Sequence, residues 1–348
     1  MQFSKGHRAT NMPDNMKVIT DSDPVPQSAR GAVVALGNFD GVHRGHQAVL
    51  GRACGIAADS GVPVGAMTFA PHPRLYFKPT TTMFALSTEG RKQALFEAFG
   101  LDFSALLTFD RAFAELSAEE FVRQVLCARW AVSHVVVGYN FFFGKGRGGN
   151  PQRLSELGGE LGVEHGFGVS VVAPASDEGE VFSSSSVRDL LRAGNVRDAA
   201  DILGHWWAVS GIVEKGAQLG TTMGYPTVNV MLQAGQALHH GIYAARVIAN
   251  GKRYDGAAYN GRRPTFDNGI AKLEVFLFDF SGDLYGSDIT VELIDFIRPD
   301  EAFVSAEALV EQMGEDCAQA RSILDVVNAS DPMLCYPIGR AQAARYAG

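Results

Sequence analysis

Two histidines set three residues apart follow a glycine turn at the end of an apolar run. Ala32 to Leu36 (AVVAL) leads directly into Gly37-Asn38-Phe39-Asp40-Gly41-Val42-His43-Arg44-Gly45-His46. A helical stretch follows, in which Val49, Ala53 and Ile56 share one face. The three glycines let the backbone turn sharply and admit a ligand closely. The start of a helix presents free N–H groups and a positive dipole end to an anion, and His43 and His46 project on one side as phosphate donors. That is chemistry for a nucleoside triphosphate. Taken alone, an H-x-x-H pair leaves two other readings open, half of a metal site or two surface histidines.

A second constellation lies further along. Gly220 to Asn229 (GTTMGYPTVN) ends in a P-T-x-N element that enters a strand. Pro226 sets φ at that point, and period two puts the Thr227 hydroxyl and the Asn229 amide oxygen on the same side. Both are oxygen ligands of the kind magnesium prefers; the same four residues can also be a plain strand start. In LEVFLFDF (Leu273 to Phe280), alternation places Glu274 with Phe276, Phe278 and Phe280, while Leu273, Val275 and Leu277 face the other way. A carboxylate on an apolar face is costly. Such burial would raise its pKa and make it a better general base near neutrality; the bland alternative is a glutamate reaching solvent at a barrel rim.

The elements that must position these residues fall into two sets. From residue 31 to about 175, the apolar runs Ala32 to Leu36, Val64 to Phe69 and His134 to Tyr139 alternate with helical segments, which predicts a doubly wound parallel sheet. Ser186 to Leu203 reads as two short helices broken at Gly194. Beyond it, period-two strands recur at Trp206 to Val213, Ile242 to Ala249, Leu273 to Phe280 and Ile289 to Ile297, with Asn250-Gly251 as a hairpin turn. A helix from Ser305 to about Leu324 closes this part. The expected fold class is therefore a Rossmann-like α/β unit followed by a small antiparallel β-barrel with a C-terminal helix. Expected boundaries are an arm at 1–28 without regular structure, a first domain at 29–203, a second at 204–330 and a tail at 331–348.

The run GNFDGVHRGH strongly resembles the G-x-F-D-x-x-H-x-G-H signature of the nucleotidyltransferase superfamily. The whole chain from about 31 to 325 resembles its flavin branch, the bacterial bifunctional riboflavin kinase/FAD synthetases. Thr68-Phe69 with Pro71-His72-Pro73-Arg74, Gly138 to Gly144 (GYNFFFG) and Ser183 to Arg188 (SSSSVR) match further segments of that family's first domain. The resemblance implies ATP binding by Gly37, Phe39, Asp40, Gly41, His43, Gly45 and His46, joined by Ser184, Ser185 and Arg188 on the phosphates. It implies flavin contacts from Arg74, Asn140, Phe141 and Phe143. Hydroxyls and a guanidinium suit a pyrophosphate leaving group. For the second half, Gly211 to Val213, Gly241 to Ala244, Asn260 to Phe266, Asp283 to Gly286 and Ile297 to Pro299 follow the kinase order. There the resemblance implies that Gly224, Thr227 and Asn229 bind ATP, that Thr227 and Asn229 hold magnesium, and that Glu274 deprotonates the ribityl hydroxyl. His43, His46, Arg188 and Glu274 are the expected catalytic residues.

Three positions depart from the family pattern. Asn140 replaces an acidic residue, Thr221 an arginine and Phe276 a histidine. Two other functions therefore remain open from sequence, an FAD synthetase with an impaired kinase domain and a flavin or nucleotide sensor. Gly144 to Gly149 also satisfies G-x-G-x-x-G, but the aromatic block Phe141 to Phe143 precedes it, and Lys145 and Arg147 suggest a mobile cationic cover instead.

Composition bounds the rest. The chain has 348 residues, and roughly 150 residues per domain predicts two domains. Lys and Arg number 30 against 38 Asp and Glu, a net charge of −8, which argues against a bulk nucleic-acid or anionic-membrane binder. No run approaches the roughly 20 apolar residues of a membrane helix, and the first 30 residues lack a signal-peptide core. Cys54, Cys127, Cys317 and Cys335 are widely spaced, so neither a disulfide framework nor a zinc site is indicated. The expected setting is cytoplasmic, with riboflavin, FMN and ATP as partners and Mg2+ as cofactor, in a monomer or weak homo-oligomer.

Overall fold

The computed structural model describes residues 16–80, 82–160, 166–177, 180–214, 225–233, 235–261 and 272–345. By its contacts the chain divides into two units, Met1–Thr81 with Lys92–Phe182, and Thr82–Arg91 with Ser183–Gly348.

The first unit is a parallel sheet of β1 (Lys17–Thr20), β2 (Val33–Leu36), β3 (Val64–Ala70), β4 (Phe103–Thr108), β5 (His134–Gly138) and β6 (Gly168–Val172), in the order β1-β4-β3-β2-β5-β6. Both faces are covered, so the central strands are continuous apolar runs, VVAL in β2 and VVV in β5, all buried. Helix α1 (Arg44–Ser60) follows β2, buries Val49, Leu50, Ala53 and Ala57, and stops at Gly61, whose φ of 66° is left-handed. Short α2 (Pro73–Phe77) follows β3, and α3 (Glu89–Phe99) leads to β4. Helix α4 (Pro151–Glu160) precedes β6, after which β7 (Ser176–Asp177) and β8 (Glu180–Val181) form a two-residue ladder. The core gathers Leu36, Met67, Phe103, Leu107, Trp130 and Val135, with the Phe103 and Trp130 rings stacked at 5.6 Å.

The expected arm at 1–28 is corrected by β1. Lys17 to Thr20 pairs in parallel with Phe103 to Leu106, and Ile19 is buried. Four residues have no period to read, and only the edge of β4 gives their backbone partners. Residues 1–15 lie outside the described residues.

In the second unit, α5 (Ser184–Ala193) and α6 (Val196–Leu203) are separated at Gly194, φ 87°, as expected. Their buried Val187, Leu191, Val196, Ala199 and Leu203 belong to the same core as the barrel interior. That shared core is why the contact division falls between Phe182 and Ser183, where a boundary near 203 had been expected. The barrel is β9 (Ala208–Glu214), β10 (Thr227–Met231), β11 (Gly241–Ala249), β12 (Lys252–Gly261), β13 (Lys272–Leu277) and β14 (Asp288–Pro299), closed in the order β10-β13-β12-β11-β14-β9 with every pair antiparallel. Asn250 and Gly251, φ 51° and 74°, make the hairpin turn. Helix α7 (Ala306–Ala329), capped by the Ser305 hydroxyl, carries Ala320, Leu324 and Val327 into a cluster with Ala244, Phe278 and Ile294 on the barrel's outer face.

The expected tail at 331–348 contains the short turn Pro332–Cys335 and helix α8 (Pro337–Arg345). Asp331 anchors it. Its carboxylate accepts from Arg246 at 2.6 Å and from the Trp206 indole at 3.1 Å, and Arg246 is only 1% exposed.

Gly65 in β3 lies flat against Phe103, so a Cβ there would come within 2.4 Å of the ring. Gly65→Ala is expected to destabilise the first unit by about 1–3 kcal/mol through overpacking. Urea unfolding followed by the fluorescence of Trp130 checks this; an unchanged midpoint would show that the Phe103–Trp130 stack yields without loss.

Candidate functional site

The order of the parallel sheet steps outward from β2 to β3 and β4 on one side, and to β5 and β6 on the other. Ligands of open α/β sheets bind outside the carboxyl ends of the strands at such a reversal. β2 ends there in Leu36 and β5 ends there in Gly138. The fold therefore brings the glycine–histidine turn and the GYNFFFG segment to one edge, with the Arg74 segment following the end of the neighbouring β3.

The turn after β2 is held in left-handed backbone at Phe39, Gly41 and Val42, with φ of 49°, 79° and 45°. Only Gly41 takes that geometry without penalty, and for the β-branched Val42 it is a genuine outlier. Both strained side chains are fully buried, which holds them in place. Gln47 donates its amide to the Val42 carbonyl at 2.9 Å. The buried Asp40 lies within the same turn. His43 is the cap of α1, its Nδ1 accepting from the His46 N–H at 3.4 Å. The two imidazoles stack with centroids 3.6 Å apart and planes at 25°, and the Phe39 ring meets His46 edge-on at 5.2 Å. Gly45 leaves room for this stack, since a Cβ would lie 3.0 Å from the His43 ring.

Burial first, then the positive charge His43 and Lys92 can carry, holds His46 well below the usual histidine pKa. Its Nδ1 is buried with no hydrogen-bond partner among the described residues. A neutral imidazole at a helix start, beside N–H groups that favour anions, is a donor waiting for an oxyanion. Sequence reasoning missed Lys92. It is 7% exposed on α3, one turn before Phe96, whose ring touches Phe39 at 5.6 Å. Its spacing from Phe96 is visible in the sequence, but its proximity to His46 comes only with packing.

The remaining first-half residues are more scattered. Arg74 is exposed on α2, its N–H donating to His72 Nδ1 at 3.1 Å. Asn140 is exposed, and Phe141 is half-buried and stacks on Phe143 at 5.7 Å. Phe143 is 8% exposed and packs on Phe121 in the core. The glycines that follow form no cover free of the body: Lys145 pairs with Glu115 at 2.6 Å, and its N–H donates to the Leu116 carbonyl at 2.7 Å. Ser184, Ser185 and Arg188 stand at the start of α5, in the second unit. Ser183 caps that helix, and Arg188 Nε donates to the Phe84 carbonyl at 2.5 Å.

On the barrel, register does what period two suggested. Asn229 lies directly opposite Glu274, and Thr227 opposite Phe276. Directly opposed residues share a face; Val230, Leu273, Val275 and Leu277 fill the interior, so this set faces outward. Asn229 is 6% exposed and makes no side-chain hydrogen bond among the described residues. Glu274 is half-buried on that outer face. This corrects the apolar burial expected for it: Phe278 and, in part, Phe276 pack in the cluster with α7, Phe280 lies past the end of the strand and packs with the interior core, and Glu274 stays only half-buried. Tyr259 flanks Glu274 on the other side, a neighbour the sequence did not reveal. Gly224 and Thr221, and the segment Arg262 to Phe266, lie outside the described residues. Among the described residues no cluster of three His, Cys, Asp or Glu is arranged for a metal.

Two family models match, FAD synthetase over residues 25–186 and riboflavin kinase over residues 203–324. The bifunctional riboflavin kinase/FMN adenylyltransferase of Pseudomonas fluorescens is 38% identical over 295 residues, 84% of this chain and 93% of that protein. Those of Escherichia coli K12 and Bacillus subtilis 168 are 35% and 32% identical, each over 88% of this chain and 97% of the relative. The solved structure of a macrolide-efflux protein from Streptococcus pneumoniae superposes with a TM-score of 0.76 at 29% identity, covering 86% of this chain and 97% of that one. Among the described residues of this chain, no helix is long and apolar enough to cross a membrane.

The depressed pKa of His46 makes a signed prediction. The unfolded chain takes up this proton near the ordinary value of 6.5 and the folded chain only well below it. Its contribution to stability is therefore complete above about pH 6.5 and falls away as pH drops toward the folded value. Denaturant midpoints measured from about pH 7.5 to about pH 5.5 should decline, and His46→Gln should flatten that decline. A slope unchanged by the substitution would assign the acid sensitivity to another group.

Proposed function

The chain belongs to the family of bifunctional riboflavin kinase/FMN adenylyltransferases, and from that premise we propose that the barrel carries phosphoryl transfer and the parallel-sheet unit adenylyl transfer. ATP phosphorylates riboflavin to FMN. The FMN phosphate then attacks the α-phosphorus of a second ATP, giving FAD and pyrophosphate. The observation that carries this reading is the barrel register, which sets the Asn229 amide against the Glu274 carboxylate with Thr227 on the same face.

In the first reaction, Glu274 accepts the proton of the ribityl hydroxyl as its oxygen attacks the terminal phosphorus of ATP, the bond from that phosphorus to the bridging oxygen breaks, and ADP leaves. A half-exposed carboxylate suffices, because positioning and charge neutralisation carry most of a phosphoryl transfer. Thr227 and Asn229 fit magnesium: both offer oxygen, and the nearly buried amide has no side-chain hydrogen bond among the described residues. Magnesium bound there would offset charge on the transferring phosphoryl group. Phe276, which departs from the family pattern, is absorbed by packing, its ring edge-on to Tyr225 at 5.1 Å and to Phe278 at 5.8 Å. The opposition of Asn229 and Glu274 is intact beside it, which supports an active kinase over an impaired one and a catalyst over a sensor.

In the second reaction the nucleophile is already an anion, so no protein base is required. His43 and His46, with the N–H groups that open α1, stabilise charge on the phosphates as pyrophosphate leaves. By resemblance Gly37, Phe39, Asp40, Gly41 and Gly45 shape that seat, Ser184, Ser185 and Arg188 bear on the phosphates, and Arg74, Asn140 and Phe141 bear on the flavin. Phe143, from its place in the core, supports Phe141 from behind. The reading includes a cytoplasmic enzyme, monomeric or weakly self-associating, that uses Mg2+.

His46→Ala is expected to lower FAD formation from supplied FMN by on the order of 10²-fold while leaving FMN formation from riboflavin within about twofold. Glu274→Gln should do the reverse, with kinase turnover down by roughly 10²–10⁴-fold. Chromatographic resolution of flavins after incubation with ATP and magnesium reads both. Equal loss of the two activities in either variant would refute the separation of sites, and FAD from FMN alone in the unsubstituted chain would mean that the kinase is silent.

A further inference from the structure

We propose that Glu214 is a third side-chain oxygen ligand of the divalent cation held at Thr227 and Asn229, an assignment that rests on the barrel being the kinase site. One level of the barrel's outer face carries Glu214, Asn229, Glu274 and Tyr259 on four adjacent strands, β9, β10, β13 and β12, each directly opposite the next. Opposed residues of antiparallel strands have Cβ atoms about 4.5–5.5 Å apart. Asn229 is thus flanked by a carboxylate on either side. The chain neighbours Val213, Val230 and Leu273 all point into the core, which fixes the row as outward-facing.

Asn229, opposite Glu214, gives that carboxylate no counter-charge, and it is itself more than nine-tenths buried with no side-chain hydrogen bond among the described residues. Glu214 makes no ion pair among them either. The last residue pair joining β9 to β14 is Ile212 with Asp288, so Glu214 lies beyond that ladder and its cross-strand partner is Asn229. Thr227 lies two residues from Asn229 on the same face, so a hydroxyl, an amide oxygen and a carboxylate occupy neighbouring positions of one surface. A small hard cation in octahedral coordination takes one or two carboxylates and fills its remaining positions with phosphate oxygens and water. Three protein oxygens leave three such positions. Glu274, on the far side of Asn229 and next to Tyr259, is then left for the proton.

The test uses Mn2+ as the probe, titrated into the full chain without nucleotide or flavin and followed by the electron paramagnetic resonance of the free ion. Glu214→Gln should weaken one Mn2+ site about tenfold or more, as loss of groups around a metal does, and Glu214→Asp should restore part of it. Asn229→Ala should weaken the same site, and the double variant should be weaker than either single variant by less than the product of their effects, because both act on one ion. In steady-state assays Glu214→Gln should raise the magnesium concentration needed for riboflavin phosphorylation, with most of kcat recovered at saturating metal. A Glu214→Gln titration superimposable on the unsubstituted chain, alongside a weakened Asn229→Ala, overturns the role of Glu214 and leaves the seat at Thr227 and Asn229 standing. Binding unchanged by Asn229→Ala overturns the seat itself, and fully multiplicative effects of the two substitutions overturn shared ligation. Glu214 is exposed, so both Glu214 variants should unfold at the temperature of the unsubstituted chain.

Discussion

Backbone pairing between β10 and β13 sets Asn229 against Glu274, and a slip of one residue would send each to the opposite face. Polar residues have little power to hold such a register. It is held by their neighbours, Val230 opposite Leu273 and Val228 opposite Val275, which alternate with them and fill the barrel. Each such side chain gains about 1.5–3 kcal/mol by leaving water, and a slipped register would expose all four together. The chemistry of the outer face is thus specified by the hydrophobicity of the inner one. Helix α7 completes the arrangement by covering Phe276 and Phe278, which would otherwise be an exposed apolar patch beside the site.

The first unit solves a similar problem with a turn. Left-handed backbone at Phe39 and Val42 costs of order 1–3 kcal/mol each, and the complete burial of both side chains offsets it. What this strain maintains is the cap of α1, with two imidazoles stacked at 3.6 Å. Both rings cannot be charged at that separation without repulsion. His46, held well below the usual histidine pKa by burial and by its neighbours, is therefore a neutral imidazole at the start of α1. Lys92, buried nearby on α3, acts in the same direction on His46.

Much of this was legible from residue order, because the signals are local. Apolar runs bounded by glycine placed β2, β3 and β5; period two placed the four barrel strands that were named; Gly194 and Asn250-Gly251 marked a break and a hairpin. The short edge strand β1 and the strand β4 had no comparable signature, since β1 depends on an edge presented by distant sequence. The family resemblance implies a flavin contact at Phe143, yet its ring packs into the core with Phe121. Glu274 reads as a desolvated base by alternation, yet alternation names a face and not the thickness of what covers it. The glycine-rich loop at 144–149 reads as a free cover, while its lysine is tied to Glu115 and Leu116.

Residue order by itself determined the two-part architecture, the glycine–histidine turn at the end of a strand, and the same-side placement of Thr227 and Asn229, because helix and strand periods are properties of consecutive residues. The tertiary structure alone decided which strands stand side by side. Through that choice it placed Glu214 and Tyr259 at the level of Asn229 and Glu274, brought Lys92 near His46, and moved α5 and α6 into the core of the barrel unit. Those relations join residues tens of positions apart, and they arise only when burial of the apolar faces selects one pairing among many.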